Sequence, residues 1–218
     1  MSVDGKLPVV VLISGSGSNL QALIDDAAAD APYAIAAVIS NKADAYGLTR
    51  AARAGIPTRL LDHREFADRA SFDTALAELI DTFAPGLVVL AGFMRILTPG
   101  FVRHYAGRML NIHPSLLPKY QGLNTHARAL EAGEEEHGCS VHFVTEELDG
   151  GPVIAQAKVA VRPGDTSEDL AGRVLAEEHR LYPVVVRGIA SGRLELTPQG
   201  VRLDGTLLAS PVSLDALA

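Results

Sequence analysis

One cysteine, Cys139, is all the thiol chemistry this 218-residue chain possesses, which rules out an internal disulfide and a cysteine cluster for a metal. Long apolar runs are missing too: stretches such as Leu87–Ala91 are far too short to span a bilayer. The start, Met1-Ser2-Val3-Asp4-Gly5-Lys6, lacks the separate apolar core of a secretory signal and carries an acidic residue. Together these absences imply a cytoplasmic protein with no membrane partner. Clustered Lys and Arg are also lacking, and the formal net charge of −7 argues against a broad nucleic-acid surface. A small anion is a different matter, because backbone amides and one or two local cations can hold a phosphate whatever the global sign. No internal repeat, low-complexity tract or linker interrupts the chain. What remains is an ordinary globular composition in a chain long enough to bury a full core.

Apolar β-rich runs alternate with helical patterns. Val9–Ile13, Ala34–Ile39, Thr58–Leu61 and Leu87–Leu90 are predicted strands, and Asn19–Asp30, Asp44–Ala54 and Arg64–Phe83 are predicted helices between them. That order demands right-handed crossovers, so the expected fold is α/β, a doubly wound and mostly parallel sheet in a single domain. A second group follows: strands at Met109–Ile112, Ser140–Val144 and Val153–Val161, and helices at Asn124–Ala132 and Ser167–Ala190. Thr166 or Ser167 could cap the last helix, with Glu168 and Asp169 in its favourable first turn. Glu134-Glu135-Glu136 is expected to be a solvated helix end. The expected organisation is one domain over residues 1–195, nucleotide-binding-like in its first half and catalytic in its second, then a hairpin around Pro198-Gln199-Gly200 and a tail over 196–218.

The chemistry concentrates in Asn111-Ile112-His113-Pro114-Ser115-Leu116-Leu117-Pro118. On an extended backbone, residues two apart project from the same face, so Asn111 and His113 can reach one reacting atom. Pro114 lacks an N–H and fixes φ, which ends the strand and puts the pair at its tip. An amide donor beside a titratable donor is what a tetrahedral oxyanion needs. The alternative is a strand-end pair with ordinary structural hydrogen bonds.

Three other segments carry ligand-binding character. Ser14-Gly15-Ser16-Gly17-Ser18-Asn19-Leu20 follows the first strand, and its glycines permit a tight turn into the free N–H groups of a helix. This is a phosphate cradle or a turn that merely joins strand to helix. Leu20 stands where a dinucleotide fingerprint needs its third Gly, and no Gly-Lys-Ser/Thr of a P-loop follows. Leu90-Ala91-Gly92-Phe93-Met94-Arg95-Ile96-Leu97 lies at a strand's carboxyl end, where open α/β sheets bind ligands. Met94, Ile96 and Leu97 could line a slot for a flat ring with Arg95 on an anionic tail, or could be core beneath a loop. Asp149 precedes Gly150-Gly151, a turn that allows close backbone approach. If the fold brings Asp149 to His113 it would orient the imidazole and favour its cationic form; otherwise it is a turn-stabilising Asp. His142 alternates with apolar neighbours and could be only a satisfied, partly buried histidine. The seven histidines show no paired metal-ligand spacing, and no G-x-S-x-G elbow supports a serine hydrolase.

Taken together, Asn111 to Pro118, Leu148-Asp149-Gly150-Gly151 and Ser14 to Leu20 resemble the 10-formyltetrahydrofolate-dependent formyltransferases, and within them the glycinamide ribonucleotide formyltransferase family of purine synthesis. The resemblance runs from Val9 to about Arg193. It implies a doubly wound α/β fold and catalytic roles for Asn111, His113 and Asp149. It implies that Gly17, Ser18 and Asn19 hold the substrate phosphate, that Glu178 contacts its ribose, and that Arg69, Met94, Arg95, Ile96, Leu97 and Asn111 contact the folate. The C-terminal half of the domain is expected to be catalytic and folate-binding, the N-terminal half phosphate- and nucleotide-binding. Two departures lie beyond the catalytic strand: Gln121 stands where that family usually has Pro, and Asn124 where it commonly has His.

The expected activity is transfer of the formyl group of 10-formyltetrahydrofolate, the co-substrate, to the amine of glycinamide ribonucleotide, without a metal. A monomer or homodimer is expected. A formyltetrahydrofolate hydrolase would use water in place of the amine and carries a further regulatory domain. A transfer-RNA formyltransferase would need a basic C-terminal extension, and a non-catalytic nucleotide sensor would not need Asn111, His113 and Asp149 together.

Overall fold

In the computed structural model, which describes residues 5–217, the apolar runs at Val9–Ile13 and Leu87–Leu90 become buried strands, whereas Thr58–Leu61, expected to be buried too, gives a short edge strand with Arg59 and Leu60 exposed. The start of the segment examined for a secretory signal (1–4) and the final residue of the predicted tail lie outside the described residues. Two compact units divide the chain, one up to Asn111 and one from Ile112 onward.

The first unit alternates strand and helix: β1 Leu7–Ile13, α1 Ser18–Ala28, β2 Tyr33–Ser40, α2 Tyr46–Arg53, β3 Thr58–Leu60, α3 Arg69–Asp81, β4 Leu87–Leu90, α4 Pro99–His104 and the start of β5 Met109–His113, whose last two residues belong to the second unit. Its strand order is β3-β2-β1-β4-β5, and every pairing is parallel. β1 is central, and Val9, Val10, Val11, Leu12 and Ile13 are all buried. A parallel central strand covered on both faces should read as such a continuous apolar run. The chain leaves β1 toward β2 and β3 on one side and reaches β4 and β5 on the other. The order therefore reverses between β1 and β4, and their carboxyl ends flank the crevice where such sheets bind ligands.

Two local differences from the sequence reading have clear causes. The helix expected over Arg64–Phe83 begins only at Arg69. Asp62 accepts from the Arg64 N–H at 2.9 Å and closes a short 3-10 turn over His63–Glu65, and Asp68 then caps α3 by accepting from Ser71 N at 2.8 Å. Short acidic side chains that bond nearby backbone favour turns and caps over helix interiors. The sequence reading also missed α4, although Thr98-Pro99 is a helix start with Pro in the first turn.

The second unit holds α5 Thr125–Glu131, β6 Glu136–Phe143, β7 Val153–Ala160, α6 Ser167–Ala190 and the small strands β8 Leu194–Thr197, β9 Gly200–Leu203 and β10 Thr206–Leu207. β6 and β7 pair antiparallel, and β8, β9 and β10 form a separate antiparallel sheet around the expected turn. The expected acidic helix end is something else: α5 stops at Glu131, Glu136 opens β6, and Glu134 accepts from Lys119 Nζ and Tyr120 Oη. The tail is tied down, since Gln156 N donates to Val212 O at 2.9 Å and Val212 N to Ile154 O at 3.0 Å.

α6 packs its buried Leu170, Val174, Leu181, Val185 and Val186 beside β6 and β7. Thr166 is its cap: the hydroxyl accepts from Asp169 N at 3.2 Å, and Asp169 reaches back to Thr166 N at 3.0 Å. Thr166→Ala should cost about 1 kcal/mol. In urea denaturation this appears as a lower midpoint with an unchanged slope. An unaltered midpoint would mean that the cap contributes nothing.

Candidate active site

In the first unit, the Gly-rich turn is held from several directions. Gly17 caps α1 at φ 70°, and a Cβ there would come within 2.6 Å of Gly47 Cα, so glycine is required for both conformation and space. Gly47 N donates to Gly15 O at 3.1 Å, and Arg50 Nε donates to Ser16 O at 2.8 Å. Arg50 thus places a guanidinium against the turn from 34 residues away, a cation the sequence reading did not identify. Ser14 links three segments: its hydroxyl donates to Asn41 Oδ1 at 2.6 Å and accepts from Met94 N at 2.8 Å, while its N–H donates to Gly92 O at 3.1 Å.

At the carboxyl end of β4, Met94 and Ile96 are 63% and 56% exposed, so they are not core beneath a loop. Phe93 is buried instead, and Leu97 is half-buried. Arg95 lies with its guanidinium carbon 4.5 Å from the Phe72 ring centroid, and its Nε is buried with no hydrogen-bond partner. Arg69, the first residue of α3, is exposed. Asn111 is half-buried near the end of β5, where it stands opposite Leu90 of β4.

In the second unit, His113 and Asp149 come together across 36 residues of sequence. His113 ends β5 as the proline after it requires, and Nδ1 of its buried ring lies 3.4 Å from Asp149 Oδ2. Its Nε2 lies 2.9 Å from Tyr120 O. A carbonyl and a carboxylate are both acceptors, so the doubly protonated ring satisfies both neighbours and a neutral ring only one. Asp149 adopts a left-handed backbone, φ 50°, and its Oδ2 accepts from Gly122 N at 2.9 Å. Gln121 Nε2 donates to Asp149 O at 3.2 Å, so this residue fastens the loop after His113 to the Asp149 turn. A Cβ on Gly151 would meet Phe143 O at 1.9 Å, which explains the glycine there.

A buried polar network ties down the loop after His113 as far as Lys119, and no local pattern announces it. Ser140 Oγ donates to Ser115 O at 2.7 Å, and Ser115 Oγ donates to Lys119 O at 2.6 Å. Gln156 Nε2 donates to Leu117 O at 2.8 Å, and Leu117 N to Ser140 Oγ at 3.0 Å. Buried networks of this kind rigidify only when every member is satisfied. His126 and His137 abut with Nδ1 and Nε2 3.1 Å apart, and burial pushes His137 down to about 4.

His142 is fully buried, 2% exposed, where the sequence alternation allows a partly buried histidine. Its Nδ1 lies 3.0 Å from Phe143 O and its Nε2 lies 3.7 Å from Asp149 Oδ1. Burial lowers its pKa, and the Asp149 charge opposes that shift without overcoming it. Glu178 is buried on α6, and its charge adds to burial in pushing the buried Cys139 thiol up. Among the described residues, no group of three or more His, Cys, Asp or Glu could hold a metal ion, and no helix is long and apolar enough to cross a membrane.

The model of the family described as formyl transferase matches residues 7–186, through both units. The chain belongs to the formyl transferase family. It is 58% identical over 201 residues to the phosphoribosylglycinamide formyltransferase of Escherichia coli K12, covering 92% of this chain and 95% of that protein. It is 49% identical over 196 residues to the human trifunctional purine biosynthetic protein adenosine-3, covering 89% of this chain and 19% of that protein. A solved phosphoribosylglycinamide formyltransferase from Coxiella burnetii superposes with a TM-score of 0.92 at 55% identity, over 95% of this chain and 99% of that one. This formyl transferase is therefore an α/β enzyme with the mostly parallel sheet expected from its strand–helix alternation. His113 and Asp149 of the formyl transferase are in contact range; the phosphate-cradle residues and the Met94–Leu97 segment lie in the first unit, and Glu178 in the second.

Proposed function

We propose that this chain transfers the formyl group of 10-formyltetrahydrofolate to the amine of glycinamide ribonucleotide, as a cytoplasmic enzyme of purine synthesis. The observation that carries the reading is His113 held between Tyr120 O and Asp149, two residues after Asn111 on one strand. The names of the E. coli and C. burnetii relatives, which the chain covers almost end to end, support the same substrates.

The amine nitrogen attacks the formyl carbon, and the carbonyl electrons move onto oxygen. Asn111 donates to that oxyanion, and protonated His113, its two N–H groups directed at Tyr120 O and Asp149, stabilises it through its charge. One such donor is typically worth about 3 kcal/mol, or 10²–10³ in turnover. Asp149 is the counter-ion of His113 and relays the proton that the amine loses to N10 of the folate, as the bond from N10 to the formyl carbon breaks. Gly17, Ser18 and Asn19 hold the phosphate, with Arg50 beside their turn, and Glu178 contacts the ribose. Met94, Arg95, Ile96, Leu97 and Arg69 contact the folate.

Tetrahydrofolate release should require glycinamide ribonucleotide and should yield one formylated amine per folate consumed. Equal folate release without the amine would identify a hydrolase, and no release under either condition would leave a binding protein.

A further inference from the structure

His113 faces the Asp149 carboxylate on one side and the backbone carbonyl of Tyr120 on the other, 2.9 Å from Nε2. A carbonyl can only accept, so this contact keeps a proton on Nε2 and fixes the rotation of the ring. The carbonyl depends in turn on an uncommon backbone. Tyr120 sits at φ 57°, in the left-handed region that suits Gly or Asn far better than an aromatic residue. Such a backbone persists only where surrounding contacts hold it.

The Tyr120 side chain supplies those contacts. Its hydroxyl donates to Glu134 Oε1 at 2.7 Å, and its ring face lies 5.2 Å from the Arg128 guanidinium carbon. The His137 ring meets it edge-on, with centroids 6.2 Å apart. Arg128 also donates to Gln121 O at 2.7 Å, the next carbonyl along the loop. Arg128 and Glu134 lie at the end of α5, and that end is firmly closed. Gly133, at φ 66°, donates from N to Leu130 O at 3.0 Å, and Glu134 N donates to Ala129 O at 3.1 Å. This pair of bonds is a Schellman stop, and it sets Glu134 in place through its own backbone. Lys119 Nζ donates to both Glu134 oxygens at 2.8 and 2.7 Å, and with the Tyr120 hydroxyl it holds that carboxyl below the usual range. Glu134 is therefore an ionised acceptor at neutral pH.

We propose that Tyr120 and Glu134 are positioning residues for formyl transfer. The bond from the Tyr120 hydroxyl to Glu134 anchors the ring, the ring holds the left-handed backbone, and the carbonyl of that backbone orients the His113 imidazole. The proposal rests on the function inferred above. Neither residue touches substrate or moves a proton. They act as the supporting shell that keeps a reacting group within a fraction of an ångström of its working place.

Tyr120→Phe keeps the ring with its Arg128 and His137 contacts and removes only the hydroxyl. It should lower kcat roughly 5- to 50-fold with both KM values within about threefold, because small misplacements among reacting groups are costly. Glu134→Ala should do the same, and the double variant should lose little more, since both changes break one bond. Glu134→Gln keeps an oxygen for the hydroxyl and should retain most of the native rate. Lys119→Met removes the exposed ion pair alone and should stay within about threefold of native kcat. The ring ¹H–¹⁵N signals of His113 should move in Tyr120→Phe and keep their native positions in Lys119→Met. Unchanged kcat in Tyr120→Phe overturns the proposal. So does a rise in both KM values as large as the fall in kcat, which is general damage to the loop. A Glu134→Gln or Lys119→Met rate as low as that of Glu134→Ala also overturns it, by assigning the effect to the ion pair. Should Tyr120→Phe fail to fold, the comparison of Glu134→Ala with Glu134→Gln gives the same decision. Formyl transfer by the unaltered protein is measured first, so an inactive wild type sinks the functional reading, whereas these variants bear on Tyr120 and Glu134 alone.

Discussion

Asp149→Asn should lower turnover by roughly 10²–10⁴-fold, the range of a lost acid–base group, while both substrates bind nearly as before. The amide keeps the size of the carboxylate and an oxygen for the Gly122 N–H, 2.9 Å away in the native protein. What it loses is the negative charge 3.4 Å from His113 Nδ1 and the site that takes the amine proton. His113 in the variant has lost its counter-ion beside the developing oxyanion. Single-turnover rates beside substrate dissociation constants check both halves. His113→Asn on top of Asp149→Asn should add little, because groups that act as a unit are not additive. Near-normal turnover would return Asp149 to the role of a turn residue before Gly150.

The next largest effect is expected at the Gly-rich turn. Asn19→Ala should raise the KM for glycinamide ribonucleotide roughly 10- to 100-fold, since a hydrogen bond to a charged phosphate is worth about 1.5–3 kcal/mol. The KM for 10-formyltetrahydrofolate should stay within about threefold. Gly17→Ala should do at least as much damage to the phosphate side, because its Cβ would sit 2.6 Å from Gly47 Cα on a backbone at φ 70°. Initial-rate kinetics with each substrate varied separately test the pair. Equal losses for both substrates would mean general damage to the loop and would remove the phosphate assignment.

The elements that could be foreseen are those whose cause is local. The apolar runs that become β1, β2 and β4 are visible because a covered parallel strand must be apolar on both faces. The end of β5 at His113 follows from Pro114, and the glycines at 17 and 151 follow from turns that no other residue fits. The merged helix over Arg64–Phe83 failed for the converse reason: apolar periodicity continued through residues whose side chains bonded their own backbone and stopped the helix twice. Met94 and Ile96 could not be separated from core residues by sequence, since exposure depends on what packs above them.

By itself the sequence determined the strand–helix alternation, the Gly-rich turn after β1, the Asn111–His113 spacing and the Asp149-Gly150-Gly151 turn. Each depends on backbone geometry within a few residues. Only the tertiary structure decided which groups share a charge. It brought Asp149 between His113 and His142, set Arg50 against Ser16, and joined Ser115, Ser140 and Gln156 in one network at the loop after His113. Those partners lie 7 to 36 positions apart in the chain. Their meeting follows from strand order and register, properties of the packed chain that no local run of residues encodes.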